Sequence, residues 1–229
     1  VSASVCTIPF EFAPFRLTGA VYGILLNHRS ALNELGGKAG LPPYNAPPRA
    51  PVLYIKPRNT LAASGDAVEI PDGMSELEVG PCLGLVIGRT ACNVPEEGAL
   101  HHVAGYLMVN DVSVPHDTFY RPSIRFKARD GFCPMGPAVV PRDAIVDPDA
   151  LALRTYVDGV LVQTSSTADL VRSTARLLAD VSEFMTLIPG DVLALGVAWP
   201  APRVRAGQRV DIVADALGTL SNQFVTAAR

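Results

Sequence analysis

The side chains that could do chemistry in this 229-residue chain are few and dispersed. Four cysteines (Cys6, Cys82, Cys92, Cys133) and four histidines (His28, His101, His102, His116) show no Cys-x-x-Cys pair and no spacing that would gather both types around one ion. Tetrahedral zinc is therefore a poor expectation. With no extracellular signal, the cysteines read as reduced thiols rather than a disulfide framework. Arg121 and Arg129 carry guanidinium forks that match a carboxylate, with a surface salt bridge as the alternative use.

The elements that must position these groups are mostly strands. Twenty prolines and nineteen glycines cut the chain into short segments rich in Val, Leu and Ile, which predicts a β-dominated fold. Strands are expected over Val52–Lys56, Val79–Gly88, Gly105–Val112 and Val192–Val197, with a last one near Val210–Ala214. Asp158-Gly159 predicts a hairpin turn between Leu151–Val157 and Val160–Gln163, since both residues tolerate positive φ. Pro95–Val103 reads as a short helix with Glu96 and Glu97 at its positive end. A longer helix is expected to start at Ser166-Thr-Ala-Asp169 and to bury Leu170, Thr174, Leu177, Leu178, Val181, Phe184 and Met185. Pro189-Gly190-Asp191 closes it with a turn. Residues 36–51, with paired glycines and prolines, can be neither continuous helix nor central strand, and read as a loop over a site or as a surface connection.

Composition narrows the function classes. Charged residues make up 18% of the chain and the net charge is −3, which gives no nucleic-acid footprint. No run approaches the roughly 20 apolar residues needed to span a bilayer. Val1–Leu17 lacks the basic start and unbroken apolar stretch of a signal peptide. It reads as a leader strand, giving a leader over 1–18 and one domain over 19–229 in a cytoplasmic protein.

Several segments, in order, resemble the fumarylacetoacetate hydrolase superfamily over nearly the whole chain. They are Val52-Leu-Tyr-Ile-Lys-Pro57, Gly84-Leu-Val-Ile-Gly88, Gly105-Tyr-Leu-Met-Val-Asn-Asp-Val-Ser113, Lys127-Ala-Arg-Asp-Gly-Phe-Cys-Pro-Met-Gly-Pro137 and Ile188-Pro-Gly-Asp-Val192. A narrower likeness, to the N-terminal half of the bifunctional isomerase/decarboxylases of homoprotocatechuate breakdown, rests on Leu26-Asn-His-Arg-Ser30, Tyr44-Asn-Ala-Pro-Pro48, Ile55-Lys-Pro-Arg-Asn-Thr60 and Phe119-Tyr-Arg-Pro122. The resemblance implies an α+β, mostly β fold: a mixed β-sandwich roll with a few short helices and one longer helix. It also implies a homodimer, or a heteromer with a paralogous subunit.

The resemblance further implies Mg²⁺ or Mn²⁺ held by two alternate glutamates and an aspartate, with the ion polarising a 2-oxo acid. Asp111 matches the metal-binding aspartate and Lys127 the active-site lysine. Arg121 and Arg129 are candidates for the second carboxylate of a small di- or tricarboxylate substrate. Counting back from Val86-Ile87-Gly88, however, puts the glutamate positions at Gly80 and Cys82. Glu76 and Glu78 lie four residues earlier, a displacement of about 13 Å along a regular strand. The family's lid His/Glu pair is also altered: Glu34 keeps its place, Ala31 replaces the histidine and His28 stands at a tyrosine position. These departures favour isomerisation or decarboxylation, which need proton shuttling by Glu34 or His28, over hydrolysis, which needs an activated water. Two readings follow: an isomerase/decarboxylase acting on 5-carboxymethyl-2-hydroxymuconate or the derived oxo-diacid, and a metal-free partner that supports a paralogous catalytic subunit. An acylpyruvate-type hydrolase is the more distant alternative.

Overall fold

In a computed structural model, the described residues are 11–12, 15–18, 20–116 and 124–227. Most of the leader expected over 1–18 lies outside them, as does Cys6. The frame of the site is a seven-stranded mixed sheet. Its order is Val52–Lys56, Val21–Leu25, Val192–Ala194, Pro81–Ile87, Val103–Asn110, Cys133–Pro141 and Leu61–Ala63. The two edge strands are successive in sequence, joined only by residues 57–60 around a 3-10 turn at Arg58–Thr60. Six strand spacings would put flat edges about 29 Å apart, whereas that connection reaches at most about 17 Å. The sheet therefore has to curl into a roll.

Period-two alternation then divides the side chains. One face of the curled sheet collects Val21, Leu61, Cys82, Val86, Leu107, Val109, Cys133, Met135, Val192 and Ala194 inside the roll. The other face, with Leu83, Leu85, Tyr106, Met108 and Leu193, packs against a second sheet and a helix. That second sheet has the order Val160–Ser166, Ala152–Val157, Arg209–Ala214, Gly218–Thr226 and Ala67–Ile70. Leu153, Val157, Val210, Ile212, Leu220 and Phe224 point from it into the shared core. A mostly β sandwich roll, as expected, is what the sequence folds into.

Local expectations fare unevenly. Asp158 and Gly159 both adopt positive φ and turn the predicted hairpin. Cys82, Cys92 and Cys133 are free thiols. Pro95–Val103 forms a short helix, of the 3-10 type, at Glu96–His102. The longer helix starts later than expected, at Thr174, and ends at Phe184. Ser166 caps only a single 3-10 turn at Thr167–Asp169, because Leu170 leaves it to bridge His28. The working cap is Ser173, whose hydroxyl accepts from the Arg176 amide at 3.2 Å. The chain also continues past Val210–Ala214 into a nine-residue strand, Gly218–Thr226, that had not been anticipated. Residues 36–51 contain a 3-10 helix at Gly36–Gly40, after which Tyr44 packs near Leu26, Ala31, Leu35 and Ala39. No helix among the described residues is long and apolar enough to cross a membrane.

Candidate active site

Three buried charges meet at one end of the roll. Asp111 follows the Val103–Asn110 strand and is 3% exposed. Lys56 ends an edge strand and is 1% exposed, and Lys127 closes the helical turn Ile124–Lys127. Lys127 Nζ donates to Asp111 Oδ2 at 2.6 Å, and the Tyr54 hydroxyl donates to the same oxygen. Lys56 Nζ lies 2.8 Å from Asp111 Oδ1. Its three hydrogens are nevertheless directed at the carbonyls of Val112, Lys127 and Phe132, at 2.6, 2.8 and 2.8 Å. Oδ1 thus takes the charge of Lys56 without a directed hydrogen bond.

The electrostatics follow from this packing. Burial alone would raise the proton affinity of Asp111, but the ammonium groups of Lys127 and Lys56 outweigh it and hold the carboxyl well below the usual carboxylate range. Burial and then the Asp111 charge push the Tyr54 phenol far above its ordinary value. Burial lowers Lys56, with Asp111 opposing. Tyr54 can lie over the strand Val21–Leu25 only because position 23 is glycine: a Cβ there would stand 2.1 Å from the Tyr54 ring.

The cavity beside these groups is lined by Tyr54, Glu78, Gly80, Asp111, Ser113, His116, Lys127, Val197 and Trp199. Glu78 enters it from the same face as Gly80 and Cys82, because its pairing with Ser113 keeps the register in which Pro81 pairs with Asn110. The strand proper begins at Pro81, while Leu77–Glu78 is a separate two-residue strand paired with Arg203–Val204 and bridged to Ser113. Glu78 thus stands one strand period, about 7 Å, from position 80 and borders the cavity from there. Glu78 reaches the cavity wall, whereas Glu76 turns to Arg203 and Arg205 at 2.6 and 3.7 Å.

A divalent ion does not fit these residues. A Cβ on Gly80 would lie 2.6 Å from the Asp111 backbone carbonyl and 2.9 Å from Val197, so the space of a ligand side chain is occupied by protein. Cys82 is a buried thiol whose proton affinity burial raises, and a soft donor besides. Asp111 already neutralises two ammonium groups. No group of three His, Cys, Asp or Glu side chains among the described residues is arranged to hold a metal.

The other expected site residues separate. Lys127 and Asp111 are brought together, on a helical turn and a strand end. Glu34 is not with them: it is exposed and pairs with Lys38 at 3.6 Å. His28 is buried but caps the Arg29–Leu35 helix, its Nδ1 accepting from the Ser30 amide, and lines a different, water-sized space beside Cys82 and Ser166. Burial lowers its basicity, with Asp169 opposing. Arg129 turns outward, donating to the Arg125 carbonyl near Glu69 and Asp72. Arg121 lies outside the described residues. Lys56 and Tyr54 were missed, although the signal was present: a lysine two residues after a tyrosine, on one face of an otherwise apolar strand. A larger cleft of about 660 Å³ between Ile87, Arg89, His101 and Arg142 contains no buried titratable group.

Comparison with known proteins agrees with this frame. Residues 20–225 match the family model described as fumarylacetoacetate (FAA) hydrolase C-terminal. The chain is 40% identical over 209 residues to the 4-hydroxyphenylacetate degradation bifunctional isomerase/decarboxylase of Escherichia coli, covering 91% of this chain and 48% of that protein. It therefore spans about half the length of such curated relatives. Among solved structures, 5-carboxymethyl-2-hydroxymuconate delta-isomerase from Mycobacterium smegmatis superposes with a TM-score of 0.80 at 30% identity, covering 95% of this chain and 82% of that one. Maleylpyruvate hydrolase from Sphingobium sp. SYK-6, in complex with manganese(II) and pyruvate, superposes with a TM-score of 0.74 at 28% identity, covering 91% and 71%.

Proposed function

This chain belongs to the fumarylacetoacetate hydrolase family, and from that premise we propose that it is an isomerase/decarboxylase subunit. Its substrate in this reading is 5-carboxymethyl-2-hydroxymuconate, or the derived oxo-diacid, in cytoplasmic homoprotocatechuate catabolism. Residues 19–229 form the working domain, as a homodimer or paired with a paralogous subunit. One observation carries the reading: Lys127, fixed by Asp111, sits on the wall of a cavity that Glu78 also reaches.

A 2-oxo acid offers adjacent carboxylate and carbonyl oxygens. An ammonium has three donors, and among the described residues Asp111 takes one from Lys127. The others can hold a substrate oxygen and stabilise the negative charge that reaches it when a proton or CO₂ leaves the neighbouring carbon. Asp111 acts here as the counter-ion that fixes Lys56 and Lys127, and no step passes through a divalent ion. Hydrolysis is disfavoured because Ala31 lines the cavity where a water-activating histidine would be needed, and Glu34 pairs with Lys38 instead.

The packing around Gly80 also favours a second reading, a subunit that shapes a paralogous partner carrying the intact metal set. An assay of the purified chain alone on 5-carboxymethyl-2-hydroxymuconate, followed by loss of the conjugated dienol absorbance in EDTA, separates the two. Turnover by the chain alone is expected. Turnover only after the paralogous subunit is added would replace the first reading with the second.

A further inference from the structure

We infer that Glu78 is the proton carrier of this site and that Arg203, itself anchored by Glu76, is the positioning residue that sets how readily Glu78 gives up its proton. The inference rests on the function proposed above and names the group that moves the proton.

Elimination on the cavity wall leads to Glu78. Asp111 is locked between two ammonium groups and held ionised, so it cannot take a proton in the working pH range. The Tyr54 hydroxyl is committed to Asp111. Lys127 is the group that faces developing negative charge. His116 also borders the cavity, with its ring stacked on Phe126 at 5.0 Å. Glu78 differs from all of these. Its backbone is fixed by a reciprocal pair of hydrogen bonds with Ser113, at 2.8 and 3.0 Å, two residues from Asp111. Its side chain is largely buried, yet among the described residues its one ion pair is a single contact of 3.3 Å, from Arg203 Nη2 to Oε1. The tighter Arg203 contact, 2.6 Å from Nη1, goes to Glu76. One guanidinium therefore bridges an outer carboxylate that anchors it and an inner carboxylate that it only partly neutralises.

The groups facing Glu78 are Arg203, Lys127, Glu76 and Asp111. Burial raises its proton affinity above the ordinary carboxylate value, Arg203 and Lys127 pull it down, and the two acids push it up. A carboxyl on the cavity wall, held by one partial ion pair, can both take and return a proton.

The step balances without any further reactant. For isomerisation, Glu78 as carboxylate takes the proton of the dienol 2-hydroxyl, and the oxygen left with the negative charge faces Lys127. The oxygen pair then forms the carbonyl, the double bonds shift along the conjugated chain, and its far carbon takes the proton back from Glu78. For decarboxylation, the C–C pair released with CO₂ forms the same enolate, and protonated Glu78 supplies the proton that replaces CO₂.

The test compares wild type, Glu78→Gln, Arg203→Met and His116→Asn. It measures the pH profile of muconate turnover, calorimetric binding of oxalate, and exchange of pyruvate methyl protons with solvent deuterium by NMR. Glu78→Gln should lower kcat and exchange by about 10²–10⁴-fold while leaving oxalate affinity within about twofold. It should also remove the acidic limb of the profile. Arg203→Met should keep turnover and shift that limb to higher pH, because a positive charge favouring the carboxylate is gone. An unchanged limb in Glu78→Gln that disappears in His116→Asn would overturn the assignment, as would the absence of both turnover and exchange in wild type. Glu78-dependent exchange without muconate turnover would uphold the proton carrier while refuting the proposed substrate.

Discussion

Lys56→Met should destabilise the protein by roughly 3–5 kcal/mol, the cost typical of removing one partner from a buried ion pair. The ammonium of Lys56 ties three stretches of chain together through the carbonyls of Val112, Lys127 and Phe132. Methionine fills a similar volume but takes the ammonium donor from the Val112 and Lys127 carbonyls, while Phe132 keeps the Val112 amide at 3.1 Å, and a buried acceptor left unpaired costs about 1–3 kcal/mol. It also takes one of two counter-charges from a carboxylate that is 3% exposed. Against a typical net stability of about 5–15 kcal/mol, such a loss is large. The pH dependence has a definite sign. The folded-state proton affinity of Asp111 is depressed, so its stabilisation is complete above the unfolded carboxyl value of about 4 and is lost as pH falls through the lower folded value. Without Lys56 the folded value rises, and acid unfolding should begin at a higher pH. Urea denaturation at pH 7 and at pH 4 measures both effects; an unchanged midpoint at both would show that the lysine is not the staple described.

Lys127→Met should instead strike catalysis. Asp111 would keep Lys56 and Tyr54, so the fold should suffer less than in Lys56→Met. The lost donor, however, is the one placed to face an oxygen on which charge develops. Removing such a donor usually lowers kcat by about 10²–10³-fold, or about 2.7–4 kcal/mol. The fall should lie mainly in kcat, since the interaction strengthens as the enolate forms. Steady-state kinetics on the muconate substrate would show it. A kcat within about threefold of wild type would remove Lys127 from the mechanism.

The legible parts of the molecule were those written in local pattern. Short apolar runs between glycine and proline breakers marked the central strands, and Asp158-Gly159 marked the hairpin because few dipeptides tolerate its dihedral angles. Asp111 and Lys127, which the structure brings into contact, each lie in a distinctive run of residues. What escaped depends on contacts distant in sequence. Lys56 becomes a site residue only when the sheet curls and brings residues 112, 127 and 132 around it. Glu34 and His28 lie apart from Asp111 and Lys127 because position in a motif does not determine direction: one points to Lys38, and the other is used as a helix cap. Strand counting puts Glu78 two residues before position 80 on the same face, and the structure keeps that register, so Glu78 borders the cavity without occupying the ligand position.

The most direct measurement of whether this site has replaced its cation is a calorimetric titration of the purified, chelator-treated chain with Mn²⁺, paired with turnover in EDTA. Paired ammonium groups around Asp111, and a backbone that fills the place of a missing carboxylate, predict no saturable heat and unchanged turnover. Saturable one-to-one binding, with turnover that EDTA abolishes and Mn²⁺ restores, would contradict that prediction.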